Sequence, residues 1–261
     1  MDVPSPGIKT AAPVLTERRA LIAVVALVTL ACWAWIVPMA RDMYGSMVGA
    51  SAWMMTDTWD LPHLLLLVAM WIVMMAGMML PSAMPTLLVY AAAARRRSDA
   101  GATAALVYSM AAGYLLVWVG FSVGAAFLQR GFSALLLLST MMKATSPLLS
   151  GGLLIAAGIY QFTPLKYRCL AACSSPIAFL MRRWREGTSG AFKLGVEHGL
   201  LCVGCCWALM LLLFAGGVMN LAVIGAVTAI VLVEKIASFG IRTVRITGIM
   251  LIALGLWVTL V

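Results

Sequence analysis

Long apolar runs alternate with short polar joints along the chain. The runs fall at about 20–40, 62–92, 103–128, 146–163, 192–214, 219–233 and 243–261. Most approach or exceed the roughly 20 residues an α-helix needs to cross a hydrocarbon core about 30 Å thick. None shows the strict alternation of an outer-membrane barrel strand. The pattern therefore predicts an all-α, polytopic membrane protein with about seven transmembrane helices. The run at 133–139 is too short to span and reads as interfacial or re-entrant. The first run is too long for a signal-peptide core and lacks a small-x-small cleavage site, so it is expected to be retained. Residues 1–19 read as a cytoplasmic tail and residues 20–261 as a single transmembrane domain. No hydrophilic block is long enough for a second domain, and no repeat of 20–50 residues is visible.

Composition agrees with the pattern. Of 261 residues, 64% are hydrophobic and 10% charged, with a mean hydropathy of +1.04. Soluble domains sit near 45–50% apolar and about 25% charged. An ordinary soluble enzyme, a disordered chain and a secreted disulfide scaffold are thereby excluded. The net charge of +9 is read as topology rather than as a nucleic-acid surface. With the N-terminus in the cytoplasm, fifteen of the 18 basic residues fall on inner segments. Only Arg41, Arg130 and Lys143 fall outside. Such a bias predicts N-in, C-out with seven spans. No Walker motif, glycine-rich phosphate loop or nucleophile elbow is present, so the chain reads as a non-enzyme.

Sulfur is the unusual component, with 19 Met and 6 Cys. Thioether and thiolate are soft ligands suited to Cu(I), although Met also fills cores. Met70, Met74 and Met78 share an arc of roughly 80° on the second run, with Met75 and Met79 adjoining. Pro81 removes a backbone hydrogen bond just beyond them, so a kinked helix with a thioether ladder is expected. Met39, Met43, Met47, Met54, Met55, Met141, Met142 and Met219 fall on the outer side, where packing with Trp53 and Trp59 is the simpler reading. Asp57, Asp60 and His63 form an acidic outer mouth.

The fifth run reads Glu197-His198-Gly199-Leu200-Leu201-Cys202-Val203-Gly204-Cys205-Cys206-Trp207. With His198 at 0°, Cys202 falls near 40°, Cys205 near −20° and Cys206 near 80°. One imidazole and three thiols thus share one side of a helix whose glycines admit a close neighbour. Cys169 and Cys173, spaced i,i+4, precede it in an inner loop. A stable disulfide is disfavoured in the reducing cytoplasm, which leaves metal capture or a transient redox role. Cys32 reads as packing. Glu197, at the end of the fifth span, suggests function or a simple pair with Lys193. Glu234 and Lys235 read as interfacial anchors. Arg95, Arg96, Arg97, Arg182 and Arg183 read as positive-inside anchors.

These readings converge on metal ligands Cys202, Cys205, Cys206, His198, Cys169, Cys173, Met74 and Met78. Copper(I) is the expected ion. Zinc is the alternative, in a Cys₃His set of Cys169, Cys173, His198 and Cys202. Copper would enter along the methionines, settle at the helix thiols and leave by His198, Cys169 and Cys173. Two other functions fit the pattern: a quinone-linked thiol oxidoreductase, and an assembly subunit of a larger membrane complex.

Several motifs also carry a family resemblance. They are Met74-Met75-Ala76-Gly77-Met78-Met79-Leu80-Pro81-Ser82 with Pro85, and Gly158-Ile159-Tyr160-Gln161-Phe162-Thr163-Pro164-Leu165-Lys166 with Cys169 and Cys173. The Cys-rich helix, Met219-Asn220-Leu221 and Glu234-Lys235 extend the match. The chain resembles a bacterial family of predicted metal-binding integral membrane proteins, similar to a membrane copper chaperone that works with a tyrosinase. The resemblance implies copper handling or delivery to a copper enzyme or membrane complex, with the lipid bilayer as surroundings and no nucleic acid.

Overall fold

A computed structural model describes residues 11–43, 60–139, 142–236 and 240–260. Among them the chain is helical, and no strand forms. Helix α1 covers Ala11–Met43, α2 Leu61–Arg95 and α3 Ala100–Ala134. Helix α4 covers Pro147–Tyr160, α5 Pro164–Ser174 and α6 Pro176–Arg183. Helix α7 covers Gly187–Met210, α8 Leu212–Gly216, α9 Leu221–Ile236 and α10 Gly240–Leu260. Residues 133–139 do not re-enter as a helix. They end α3, and Leu138 makes one antiparallel bridge to Ala144.

Among the described residues, five helices are long and apolar enough to cross a membrane: Arg18–Met43, Leu61–Arg95, Gly101–Ala134, Gly187–Gly216 and Ile241–Leu260. A sixth span forms if α4 and α5 count together, although they meet at 67°. The expected span at 219–233 becomes the 16-residue α9. At 1.5 Å per residue it is about 24 Å long, shorter than the hydrocarbon core. Leu27, Leu30, Met250, Trp257 and Leu260 are among the large side chains left exposed, as a lipid-facing surface requires.

Local chemistry sets the helix ends. Asp60 accepts a hydrogen bond from the His63 backbone N–H at 3.1 Å, and Pro62 occupies the first turn of α2. Asp60 therefore caps α2, and His63 is buried. Helix α2 continues unbroken through Pro81 and Pro85. Between α4 and α5 the Thr163-Pro164 pair does break the chain. Thr163 Oγ1 accepts from the Lys166 backbone N–H at 3.3 Å, and Pro164 starts the new helix. Lys166, Cys169, Leu170 and Cys173 then share the buried face of α5.

Glycine brings α3 and α7 into backbone contact. A Cβ on Gly195 would lie 2.0 Å from the Met110 carbonyl oxygen, and one on Gly113 2.2 Å from that of Phe192. Small residues permit this approach where lipid supplies no hydrophobic drive for association. The contact sets Tyr114, one turn beyond Met110, against Cys202.

Candidate metal centre

The thiols of α7 and α5 meet inside the bundle. Cys202, Cys205 and Cys206 are each about 1% exposed, and Cys169 and Cys173 are each 8% exposed. Cys205 is the hub: its thiol interacts with those of Cys173, Cys202 and Cys206. Helix geometry lets Cys205 and Cys206 also donate to the Cys202 carbonyl, at 3.1 and 2.8 Å. Cys169 sits over Gly204, where a Cβ would come within 2.8 Å of its sulfur. Tyr160 donates to the Gly204 carbonyl oxygen, and its ring packs on Trp207 at 5.1 Å. The loop thiols, expected as a separate inner exit, thus join the helix thiols. All six cysteines are free. Cys32 stands apart, packed against Gly77.

Polar groups close around Cys202. The Lys235 ammonium donates to Cys202 Sγ at 2.8 Å and to Ser82 Oγ at 3.0 Å. The Tyr114 hydroxyl lies 3.1 Å from the same sulfur and 3.0 Å from the Met79 carbonyl oxygen. Residues 79–82 of α2 therefore border the thiols. Next door, Lys166 Nζ pairs with Glu234 Oε2 at 2.7 Å, and Gln161 Nε2 donates to Glu234 Oε1 at 2.8 Å. Lys166 is fully buried, and Glu234 and Lys235 are 2% and 8% exposed. Glu234 and Lys235 are therefore core residues, not interfacial anchors. The consecutive charges at the end of an apolar run were the signal for this. Tyr114 and Ser82 carry no such signal, because their role comes from the approach of α3 and α2 to α7.

His198 lies one turn before Cys202, between the rings of Tyr114 at 5.5 Å and Phe179 at 5.3 Å. Its Nδ1 is buried without a hydrogen-bond partner. Glu197 pairs with Arg183 at 2.9 Å and Arg185 at 2.5 Å, rather than with Lys193. It fastens the 183–185 segment to α7 and faces away from the thiols. Met70, Met74, Met75, Met78 and Met79 are all fully buried. Both faces of the methionine stretch are thus interior, and its last turn reaches the Tyr114 bridge to Cys202. Met39, Met43, Met142 and Met219 are buried too. Met47, Met54, Met55, Met141, Trp53, Trp59 and Asp57 lie outside the described residues.

Among the described residues, no three His, Cys, Asp or Glu side chains are arranged to hold one ion. The tetrahedral Cys₃His set has no preformed counterpart. A monovalent soft ion needs fewer ligands, and the paired thiols around Cys205 fit that smaller demand in donor chemistry.

Residues 68–258 match the PpoB2 family, described as a copper chaperone. The match covers most of the chain, and the protein belongs to that family. No curated protein and no solved structure matches it.

Proposed function

We propose that this member of the PpoB2 copper chaperone family binds copper as Cu(I) at the buried thiols around Cys205 and passes it to a copper-requiring partner. One observation carries the reading. Free, buried thiols of two helices face one another: Cys169 of α5 lies against Gly204 of α7, between Cys202 and Cys205 in sequence, and Cys173 shares the same buried face of α5. Buried thiols on a single helix would be ordinary packing. Thiols brought together by a capped bend in one helix and a glycine notch in another supply soft donors from two helices. Family membership supports copper as the cargo.

Cu(I) exchanges between sulfur ligands without a change of oxidation state. The methionine stretch Met70, Met74 and Met78 would deliver it, and Met78 lies one residue before the Met79 carbonyl that Tyr114 bridges to Cys202. His198, with its unpartnered Nδ1 one turn from Cys202, is the next donor toward the end of α7 where Glu197 pairs with Arg183 of α6. Nothing in the chain hydrolyses a nucleotide, so direction follows a gradient or the receiver's higher affinity. We read the protein as a carrier rather than an enzyme, set in the bacterial inner membrane with seven spans, N-in and C-out. The positive-inside bias supports that orientation. The seventh span is α9, whose short length fits a helix buried beside the site. An assembly role in copper-enzyme maturation is the same act seen from the receiving partner.

The test is anaerobic loading of purified protein with Cu(I), followed by a metal count. Replacing Cys202, Cys205 and Cys206 together by Ser is expected to abolish tight binding. Unchanged stoichiometry in that variant would sink the site assignment.

A further inference from the structure

The charges within the site do not cancel evenly. Lys166 and Glu234 neutralise one another at 2.7 Å, and the other Glu234 oxygen is taken by Gln161. Lys235, the next residue, pairs with no carboxylate among the described residues. Its ammonium is buried and donates to Cys202 Sγ and Ser82 Oγ. Cys202 contacts it directly, with the Tyr114 hydroxyl on the same sulfur, and the Cys173, Cys205 and Cys206 thiols act on it electrostatically. A buried ammonium is costly unless it is paired and hydrogen-bonded. Sulfur is therefore its natural counter-charge.

We propose that Lys235 is the built-in counter-cation of the copper–thiolate unit, fixing its net charge at −1 and hence its ligand count at two thiolates per Cu(I). The inference rests on the copper reading above. With the Cys202 sulfur serving as thiolate counter-charge to the ammonium, loading adds one Cu–S bond there and replaces one S–H bond by a second Cu–S bond, releasing one proton, and no electron moves. One monovalent ion between two thiolates carries −1, and the ammonium brings the buried site to zero. A third thiolate would leave a net −1 inside the bundle. A divalent ion on the same two thiolates would leave +1. Either excess is penalised where water is excluded. Ser82 of α2 holds the ammonium at 3.0 Å, so Lys235 acts as a positioning and charge-setting residue, not a ligand.

The experiment is a competition for Cu(I) between the purified full chain and the chromophoric chelator bicinchoninate, under anaerobic conditions. Lys235→Met and Lys235→Gln remove the charge, and Lys235→Arg keeps it. Ser82→Ala removes the second hydrogen bond to the ammonium, together with the bond from Ser82 to the Met79 carbonyl oxygen. The neutral variants are expected to lose affinity by roughly thirtyfold or more, as when one partner of a buried charge pair is truncated. Lys235→Arg and Ser82→Ala are expected to stay within roughly fivefold, because the ammonium-type charge is retained. A neutral variant with wild-type affinity would overturn the proposal, as would an Arg variant as weak as the Met one. Should both neutral variants fail to fold, the sulfur count around Cu(I) in the wild-type chain decides. Two sulfurs support the counter-cation, and three or four overturn it. A wild-type chain that takes up no copper would instead overturn the functional reading itself.

Discussion

Glu234→Gln tests how the site is held together. The carboxylate ties α9 to α5 through Lys166 and to the α4–α5 bend through Gln161. It also fixes the backbone from which Lys235 reaches Cys202. At 2.7 Å and an effective dielectric near 20, the Lys166–Glu234 attraction is about 6 kcal/mol. Desolvation offsets much of that in the intact pair. Removing one charge leaves the other buried and unpaired, which costs about 3–5 kcal/mol. For a chain of this size each kcal/mol is worth roughly 2–4 °C in Tm, so the variant should melt roughly 6–20 °C below wild type. Thermal unfolding in detergent, followed by circular dichroism, reads the shift. The double variant Lys166→Gln with Glu234→Gln should recover part of the loss, because no lone charge remains. A Glu234→Gln shift under about 2 °C, or a double variant whose losses simply add, would refute the strut.

Further outcomes follow from the same geometry. Gly195→Ala places a Cβ 2.0 Å from the Met110 carbonyl oxygen and must push α3 from α7; it should cost at least the roughly 1–3 kcal/mol of overpacking and weaken Cu(I) binding by displacing Tyr114. Gly120→Ala on α3 meets nothing within 4 Å and should be neutral to stabilising by up to about 1 kcal/mol, so equal losses in both would remove glycine contact as the cause. Met74→Leu with Met78→Leu keeps core volume and should cost less than about 1.5 kcal/mol in stability, while slowing Cu(I) loading and leaving the final copper count unchanged; unaltered loading kinetics would remove the methionine path. A reporter fused after Val261 should be active only on the outer side of the inner membrane, and an inward C-terminus would contradict the seven-span topology.

The apolar runs made the helices legible because continuous hydrophobicity at spanning length has few other solutions. The thiol face of α7 was legible for a similar reason: 100° per residue places His198 and Cys202, Cys205 and Cys206 together whatever surrounds them. The union of that face with Cys173 was legible only as the zinc alternative, and its geometry was not. It depends on the Thr163–Pro164 bend turning α5 inward by 67°, a tertiary angle that no periodicity encodes. Helix α9 misled as a plain span with interfacial charges, because hydropathy cannot distinguish a charge facing lipid headgroups from one facing a buried partner. Tyr114 and Ser82 entered the site only through helix contact. Glu197 looked functional on cost grounds, yet Arg183 and Arg185 satisfy it at the edge of the bundle.

The central claim is that the thiols gathered around Cys205 hold the copper. X-ray absorption at the copper edge, on the anaerobically loaded full chain, tests it most directly. The account predicts Cu(I) with a first shell made only of sulfur. A shell of nitrogen and oxygen, or copper in the divalent state, would contradict it.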